Sequence, residues 1–184
     1  MRKPRWCPLL VALTRVTAAF ASFRWLRDVR LSVVAVAGES MTPAFLPGDF
    51  ILIARRDIPR NERAYGLVVC LRAADDRLLL KRIVGVPGDS LRIGTTVQVA
   101  GRALLEPHAH GETPAAQYRG VSALGLGEYL VLGDNRAAST DSRDFGAVRA
   151  EQIEGIAVLR YWPPERLGLI RRAPRRFAAS GEYG

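Results

Sequence analysis

From Leu31 onward the chain is a series of short runs rich in Val, Ile and Leu, each closed by a turn sequence of the Pro-Gly-Asp kind. Runs this short do not make packed helices, and their β-branched side chains suit a pleated strand. The expected strands are 31–37, 50–55, 66–73, 77–86, 90–93, 97–99, 128–132 and 155–162. Turns are expected at Pro47-Gly48-Asp49, Ala74-Asp75-Asp76, Pro87-Gly88-Asp89 and Gly94, where glycine permits positive φ and proline presets the bend. Helix is expected only in a short N-terminal segment and in a turn near 149–153. Residues 106–126 have little periodicity and read as an excursion from the sheet. At 184 residues there is room for one principal, mostly β domain.

The N-terminus carries a basic leader, Met1-Arg2-Lys3-Pro4-Arg5, and then an apolar stretch from Pro8 to Phe23 interrupted by Arg15. Crossing a bilayer as a helix takes about 20 predominantly apolar residues, so residues 8–23 make at best a weak anchor. A membrane-surface helix, a cytoplasmic amphipathic segment and a cleaved signal all remain open for it. The tail after Arg171 is basic and is expected to be disordered. A net charge of +9 favours an anionic partner, either nucleic acid or an anionic bilayer. Cys7 and Cys70 lie in unlike contexts and read as free thiols.

Three segments combine turn residues with reactive side chains. In Gly38-Glu39-Ser40-Met41-Thr42-Pro43, Ser40 follows an apolar strand; alone it could be a cap, a turn residue or a nucleophile. In Leu78-Leu79-Leu80-Lys81-Arg82-Ile83-Val84, Lys81 sits among aliphatic residues. Burial disfavours an ammonium ion and lowers its pKa, as a lysine base near neutral pH requires; the alternative is a lysine that snorkels to the sheet edge. The third segment, Gly133-Asp134-Asn135-Arg136-Ala137-Ala138-Ser139-Thr140-Asp141-Ser142-Arg143-Asp144-Phe145-Gly146, is dense in hydroxyls, carboxylates and arginines. Such groups can hold one another in a rigid polar network, or simply form a surface turn.

"GESMTPAFLPGD", "KRIVGVPGD" and "GDNRAASTDSRDFG", in that order, resemble the successive motifs of type I signal peptidases, the Ser-Lys serine endopeptidases that process preproteins at membranes. The resemblance covers about 31–164. It implies a coiled antiparallel β-sheet core over 31–165 with a small β insertion at about 95–127, preceded by the possible anchor of 1–30 and followed by the tail of 166–184. It implies Ser40 as nucleophile and Lys81 as general base, with an acyl-enzyme intermediate. Ser139 would orient the lysine amine, Asp141 and Arg143 would brace the site as an ion pair, and Met41 with Pro43 would fix the turn after Ser40. Gly133, Asp134 and Asn135 would shape the loop. No cofactor or metal is implied, and the His108-x-His110 spacing is a weak metal signal.

The resemblance further implies signal-peptide substrates cut after small residues. A shallow apolar pocket between the strands leading to Ser40 and to Lys81 would select them. The catalytic part is expected at a membrane on its extracytoplasmic side, with a soluble cytoplasmic enzyme as the alternative.

Some positions depart from the family pattern. Gly38 stands where some members carry a serine that donates to the oxyanion, so the Ser40 backbone N–H becomes the main donor. Gly66 is followed by Leu67 where an aspartate is usual. Two other readings stay open: a soluble maturation protease for a single precursor, and a non-catalytic basic β-rich protein that binds nucleic acid or anionic membrane. Nucleic acid is not the expected partner, because the aromatics do not alternate with basic residues as a base-stacking platform would require.

Overall fold

A computed structural model describes residues 30–111 and 123–179. The chain divides into two compact units, Met1–Arg30 and Leu31–Gly184, and almost every described residue belongs to the second. The expected N-terminal helix, the weak anchor at 8–23 and Cys7 lie outside the described residues.

The strands are β1 (Arg30–Ala35), β2 (Phe50–Arg55), β3 (Val68–Arg72), β4 (Leu78–Gly85), β5 (Leu91–Ile93), β6 (Val97–Val99), β7 (Arg102–Ala103), β8 (Glu128–Leu132), β9 (Val148–Arg149), β10 (Ile153–Trp162) and β11 (Gly168–Leu169). One short helix, α1, spans Ser142–Phe145. All eight strands expected from the sequence are present. The shortest elements, β7, β9, β11 and α1, carry too few residues to leave a periodic signal. The turn expected near 149–153 is a 3-10 turn at Ala150–Gln152.

The main sheet has the order β1-β2-β10-β3-β4-β8-β9, with β11 added beside β10. The pairs β2–β10, β10–β3, β3–β4, β4–β8 and β8–β9 are antiparallel. The long strand β10 changes register against β2 and against β3, and each such irregularity bends the strand and sharpens its twist. The sheet therefore has a core on each side. Alternation along β3 divides its side chains between them: Val69 and Leu71 enter one cluster with Ile83 and Leu132, while Val68 and Cys70 enter the other with Met41, Phe45 and Leu80. Cys70 is a free, buried thiol, and burial pushes its pKa up to about 11.

The insertion is a three-stranded sheet, β5-β6-β7, whose Leu91, Ile93, Val97 and Val99 face inward. The tail departs from expectation. Instead of being disordered after 165, the chain is placed against the domain through Ala179. Ala173 N–H donates to Gly66 O at 3.1 Å, and a Cβ on Gly66 would collide with the Ala173 backbone. Arg175 pairs with Asp89 at 2.7 Å and lies over the rings of Tyr65 and Phe177. Leu105 N–H then donates to Arg176 O, and Ala178 N–H to Ala103 O, which ties the tail to the insertion. Arg175, an arginine that looks solvated in the sequence, is held here by two carboxylates, Asp89 and Glu62, and two aromatic faces.

Candidate active site

The turn that carries Ser40 is closed by its own backbone. Thr42 N–H and Thr42 Oγ1 both donate to Glu39 O, at 3.0 and 2.9 Å, and Phe45 N–H donates to Met41 O at 2.9 Å. Met41 and Phe45 anchor the turn in the core beneath it. Ser40 is left half-buried at the top. Its N–H has no acceptor among the described residues, and a Cβ on Gly38 would meet nothing within 4 Å.

Lys81 reaches this turn from the middle of β4. Its Cα partner is Val69, and along its own strand the same face carries Leu79 and Ile83. The side chain is therefore among aliphatic groups, and the residue is only 2% exposed. It does not snorkel. Its Nζ donates to Ser40 Oγ at 2.7 Å, its one hydrogen bond among the described residues. Desolvation lowers its pKa from 10.5 to about 8, against the opposing pull of the Asp141 and Asp134 carboxylates.

The neighbouring Arg82 points to the opposite face and is buried too. It makes a two-pronged pair with Asp134, Nε to Oδ1 at 2.8 Å and Nη2 to Oδ2 at 2.6 Å, and Nη1 donates to Gly66 O. Arg136 similarly pairs with Glu106 and donates to Gly133 O. These two ion pairs hold the loop after β8 from below. Sequence reasoning missed both, since neither partner is near the other in the chain.

The loop itself is organised by Asp141, which is fully buried and caps α1. Its Oδ2 accepts from Gly133 N–H at 2.9 Å, Ser139 Oγ at 2.7 Å and Arg143 Nη2 at 2.9 Å; its Oδ1 accepts from Arg143 Nε at 2.8 Å. Burial alone would raise the Asp141 pKa. The hydrogen bonds from Arg143, Gly133 and Ser139 outweigh it and hold the carboxyl below its ordinary value. Asp141 and Arg143 thus pair directly. The Ser139 hydroxyl, expected on the lysine amine, donates instead to Asp141, the nearest strong acceptor.

Asn135 joins the loop to the Ser40 turn. Its N–H donates to Ser40 O at 3.0 Å, and its amide Nδ2 donates to Thr42 Oγ1 at 3.1 Å. Gly133 is packed so closely that a Cβ there would collide with the Ser139 side chain and the Ser40 carbonyl. His108 is half-buried, with both ring nitrogens out of solvent and neither hydrogen-bonded, and desolvation lowers its pKa to about 4. Among the described residues no cluster of His, Cys, Asp and Glu is placed to hold a metal ion.

Two cavities meet at Ser40 and Lys81. One, of about 360 Å³, lies between the end of β1 and the start of β4, lined by Val34, Val36, Met41 and Leu80. The other, of about 560 Å³, runs between the β3–β4 hairpin and the corner from α1 into β9.

Residues 9–162 match the family described as "Signal peptidase, peptidase S26". The chain is 36% identical over 146 residues to the mitochondrial ATP-independent inner membrane protease subunit 1a of Arabidopsis thaliana, covering 77% of this chain and 76% of that one. It is 30% identical over 172 residues to signal peptidase IB of Staphylococcus aureus, covering 84% and 90%. A signal peptidase I structure from Enterococcus faecalis covers 54% of this chain and 97% of its own at 23% identity and a TM-score of 0.43, a likeness too weak to add to the sequence matches. On the family match and these relatives, the chain belongs to the signal peptidase family, peptidase S26, and is a peptidase.

Proposed function

We propose that this peptidase is a serine endopeptidase of the signal peptidase I type, cutting preproteins after small residues with Ser40 as nucleophile and Lys81 as general base. The observation that carries this reading is the 2.7 Å contact between Lys81 Nζ and Ser40 Oγ in a setting that lowers the lysine pKa to about 8. A buried amine without a carboxylate partner is readily neutral, and a neutral amine can accept the Ser40 proton.

Ser40 Oγ then attacks the scissile carbonyl carbon as its proton passes to Lys81. The oxyanion of the tetrahedral intermediate accepts from the Ser40 N–H, which has no other acceptor among the described residues. Collapse breaks the C–N bond, and Lys81 returns the proton to the leaving amine. The resulting ester is the acyl-enzyme. Lys81 next takes a proton from water as its oxygen attacks the ester carbonyl; collapse breaks the bond to Ser40 Oγ and frees the new C-terminal acid, and Lys81 returns its proton to Ser40 Oγ, which restores both groups. Asp141, Arg143 and Ser139 act as the brace that holds this geometry, and Met41 fixes the turn. The smaller cavity is walled by the apolar side chains of Val36, Met41 and Leu80, which suits small uncharged side chains before the cut.

A membrane setting, on the extracytoplasmic side, belongs to the same reading. Its support is the name of the Arabidopsis relative and a group of exposed apolar side chains, Phe50, Trp162, Leu167 and Leu169, on neighbouring strands and the turn between them. No helix among the described residues is long and apolar enough to cross a membrane. Fractionation of the full chain beside a version lacking residues 1–30 tests it: membrane-bound parent and released truncation support an anchor, and a parent wholly in the soluble fraction contradicts it.

The catalytic reading is tested by cleavage of a preprotein by the purified full-length protein and by Ser40→Ala and Lys81→Met. Loss of cleavage in both, with folding retained, is the expected result. Retained cleavage in either overturns the assignment.

A further inference from the structure

Of the two cavities that meet at Ser40 and Lys81, the smaller is given an occupant by the cleavage reading and the larger is not. Both include Ser40 and Lys81 in their walls, so a polypeptide with its scissile carbonyl at Ser40 Oγ faces one on each side of the cut. Residues before the cut lie along the end of β1 and the start of β4, where an unpaired edge can take an added strand. The leaving amine must emerge beside Lys81, which protonates it. From there the chain continues into the larger cavity.

That cavity is built for an uncharged side chain. Its apolar wall is Leu71, Leu79, Phe145, Ala147 and Val148, from two separate parts of the fold. Its arginines already have partners: Arg72 pairs with Glu154 at 2.8 Å and Asp76 at 3.0 Å, and Arg77 pairs with Asp75 at 2.5 Å. Glu39 also lines it and is exposed, which further disfavours an acidic ligand.

We infer that the cavity of about 560 Å³ between the β3–β4 hairpin and the α1–β9 corner is a binding site for the polypeptide just downstream of the cut, and that it selects an apolar side chain there. The inference rests on Ser40 being the nucleophile. It gives the enzyme a second specificity element, on the released chain rather than on the signal peptide.

The test uses full-length protein and quenched-fluorescence peptides with alanine before the cut, and leucine, glycine or aspartate at each of the first three positions after it. At one of these positions leucine is expected to exceed aspartate in kcat/KM by about tenfold, the scale of filling or leaving empty an apolar pocket. Ala147→Phe, which fills the cavity, is expected to bring that ratio close to one; a ratio within one variant is independent of how much of it is active. Equal rates across the peptides, or an undiminished preference in Ala147→Phe, overturns the inference. Should the variant fail to fold, the peptide series on the parent protein decides alone. Ser40→Ala separates the two failures: cleavage by that variant sinks the nucleophile assignment itself, whereas an inactive variant with a flat peptide series sinks only the downstream site.

Discussion

Lys81 and Arg82 are neighbours in β4, both buried, and only one has its charge compensated: Arg82 is gripped by both oxygens of Asp134, whereas Lys81 meets only the Ser40 hydroxyl. An ion pair can hold a cation in a low-dielectric interior, and its absence shifts the balance toward the neutral form. One step along a strand thus separates a structural cation from a titratable one.

Lys81→Met is therefore expected to lose activity and gain stability. Below about pH 8 the folded parent carries the cost of a buried ammonium ion. The unfolded lysine titrates near 10.5, so as pH rises from about 8 to 10.5 the unfolded state binds more protons and the parent gains stability. The variant should be up to about 3 kcal/mol more stable at pH 7. That advantage should shrink across this window. Denaturant titrations at pH 7 and pH 10 measure it, and a large loss of stability at pH 7 would contradict the account.

The rate of peptide cleavage is expected to rise with pH through about 8 as Lys81 deprotonates. In Asp141→Asn the carboxylate that raises the lysine pKa is gone and the Arg143 guanidinium that lowers it is uncompensated, so the acid limb should move to lower pH. The variant should also lose about 3–5 kcal/mol at neutral pH, as breaking one side of a buried pair does. Because the folded Asp141 pKa lies below its ordinary 3.8, its stabilisation is present above that value and lost as pH falls through the folded one. The stability gap between parent and variant should accordingly narrow in acid. Profiles of kcat/KM and unfolding curves against pH check both.

Much of this arrangement is legible in the sequence. The Pro-Gly-Asp turns cut the chain into strands of the right length, and Leu78 to Val84 around Lys81 mark a lysine that is hard to place wholly in solvent, while leaving burial and snorkelling to the sheet edge both open. Local signals end there. Which carboxylate meets Arg82 depends on where the loop after β8 folds back across β4, and Asp134 is 52 residues away in sequence. The family resemblance implies Ser139 on the lysine amine, but the Asp141 carboxylate two residues on is the stronger acceptor and takes the hydrogen bond from its hydroxyl. The arginines of the tail predict disorder. Composition does not reveal that Arg175 finds Asp89, Tyr65 and Phe177 together.

Gly133→Ala should damage the site more than the fold. The added methyl meets Ser139 and the Ser40 carbonyl, so it pushes the loop and the nucleophile turn apart. A displacement of about 1 Å at reacting groups can cost about a hundredfold in rate. A kcat loss of that order, with a circular dichroism spectrum like the parent's, is expected.

Gly38→Ser should be accepted, since a Cβ there meets nothing within 4 Å. Its hydroxyl can add a second donor to the oxyanion now served by the Ser40 N–H. Removing one such donor from a complete site costs about a hundred- to a thousandfold; gaining a partly exposed one should raise kcat by about tenfold. Steady-state kinetics on one peptide would show it, and an unchanged kcat would argue that the oxyanion forms elsewhere.

The central claim, that Ser40 becomes acylated, is tested most directly by acid-quenching the full-length protein during turnover of an activated ester of a signal-peptide segment and mapping the adduct by mass spectrometry. The predicted result is the acyl group on the proteolytic fragment that contains Ser40, with none in Ser40→Ala. An adduct on another residue, or an adduct that persists in Ser40→Ala, would contradict it.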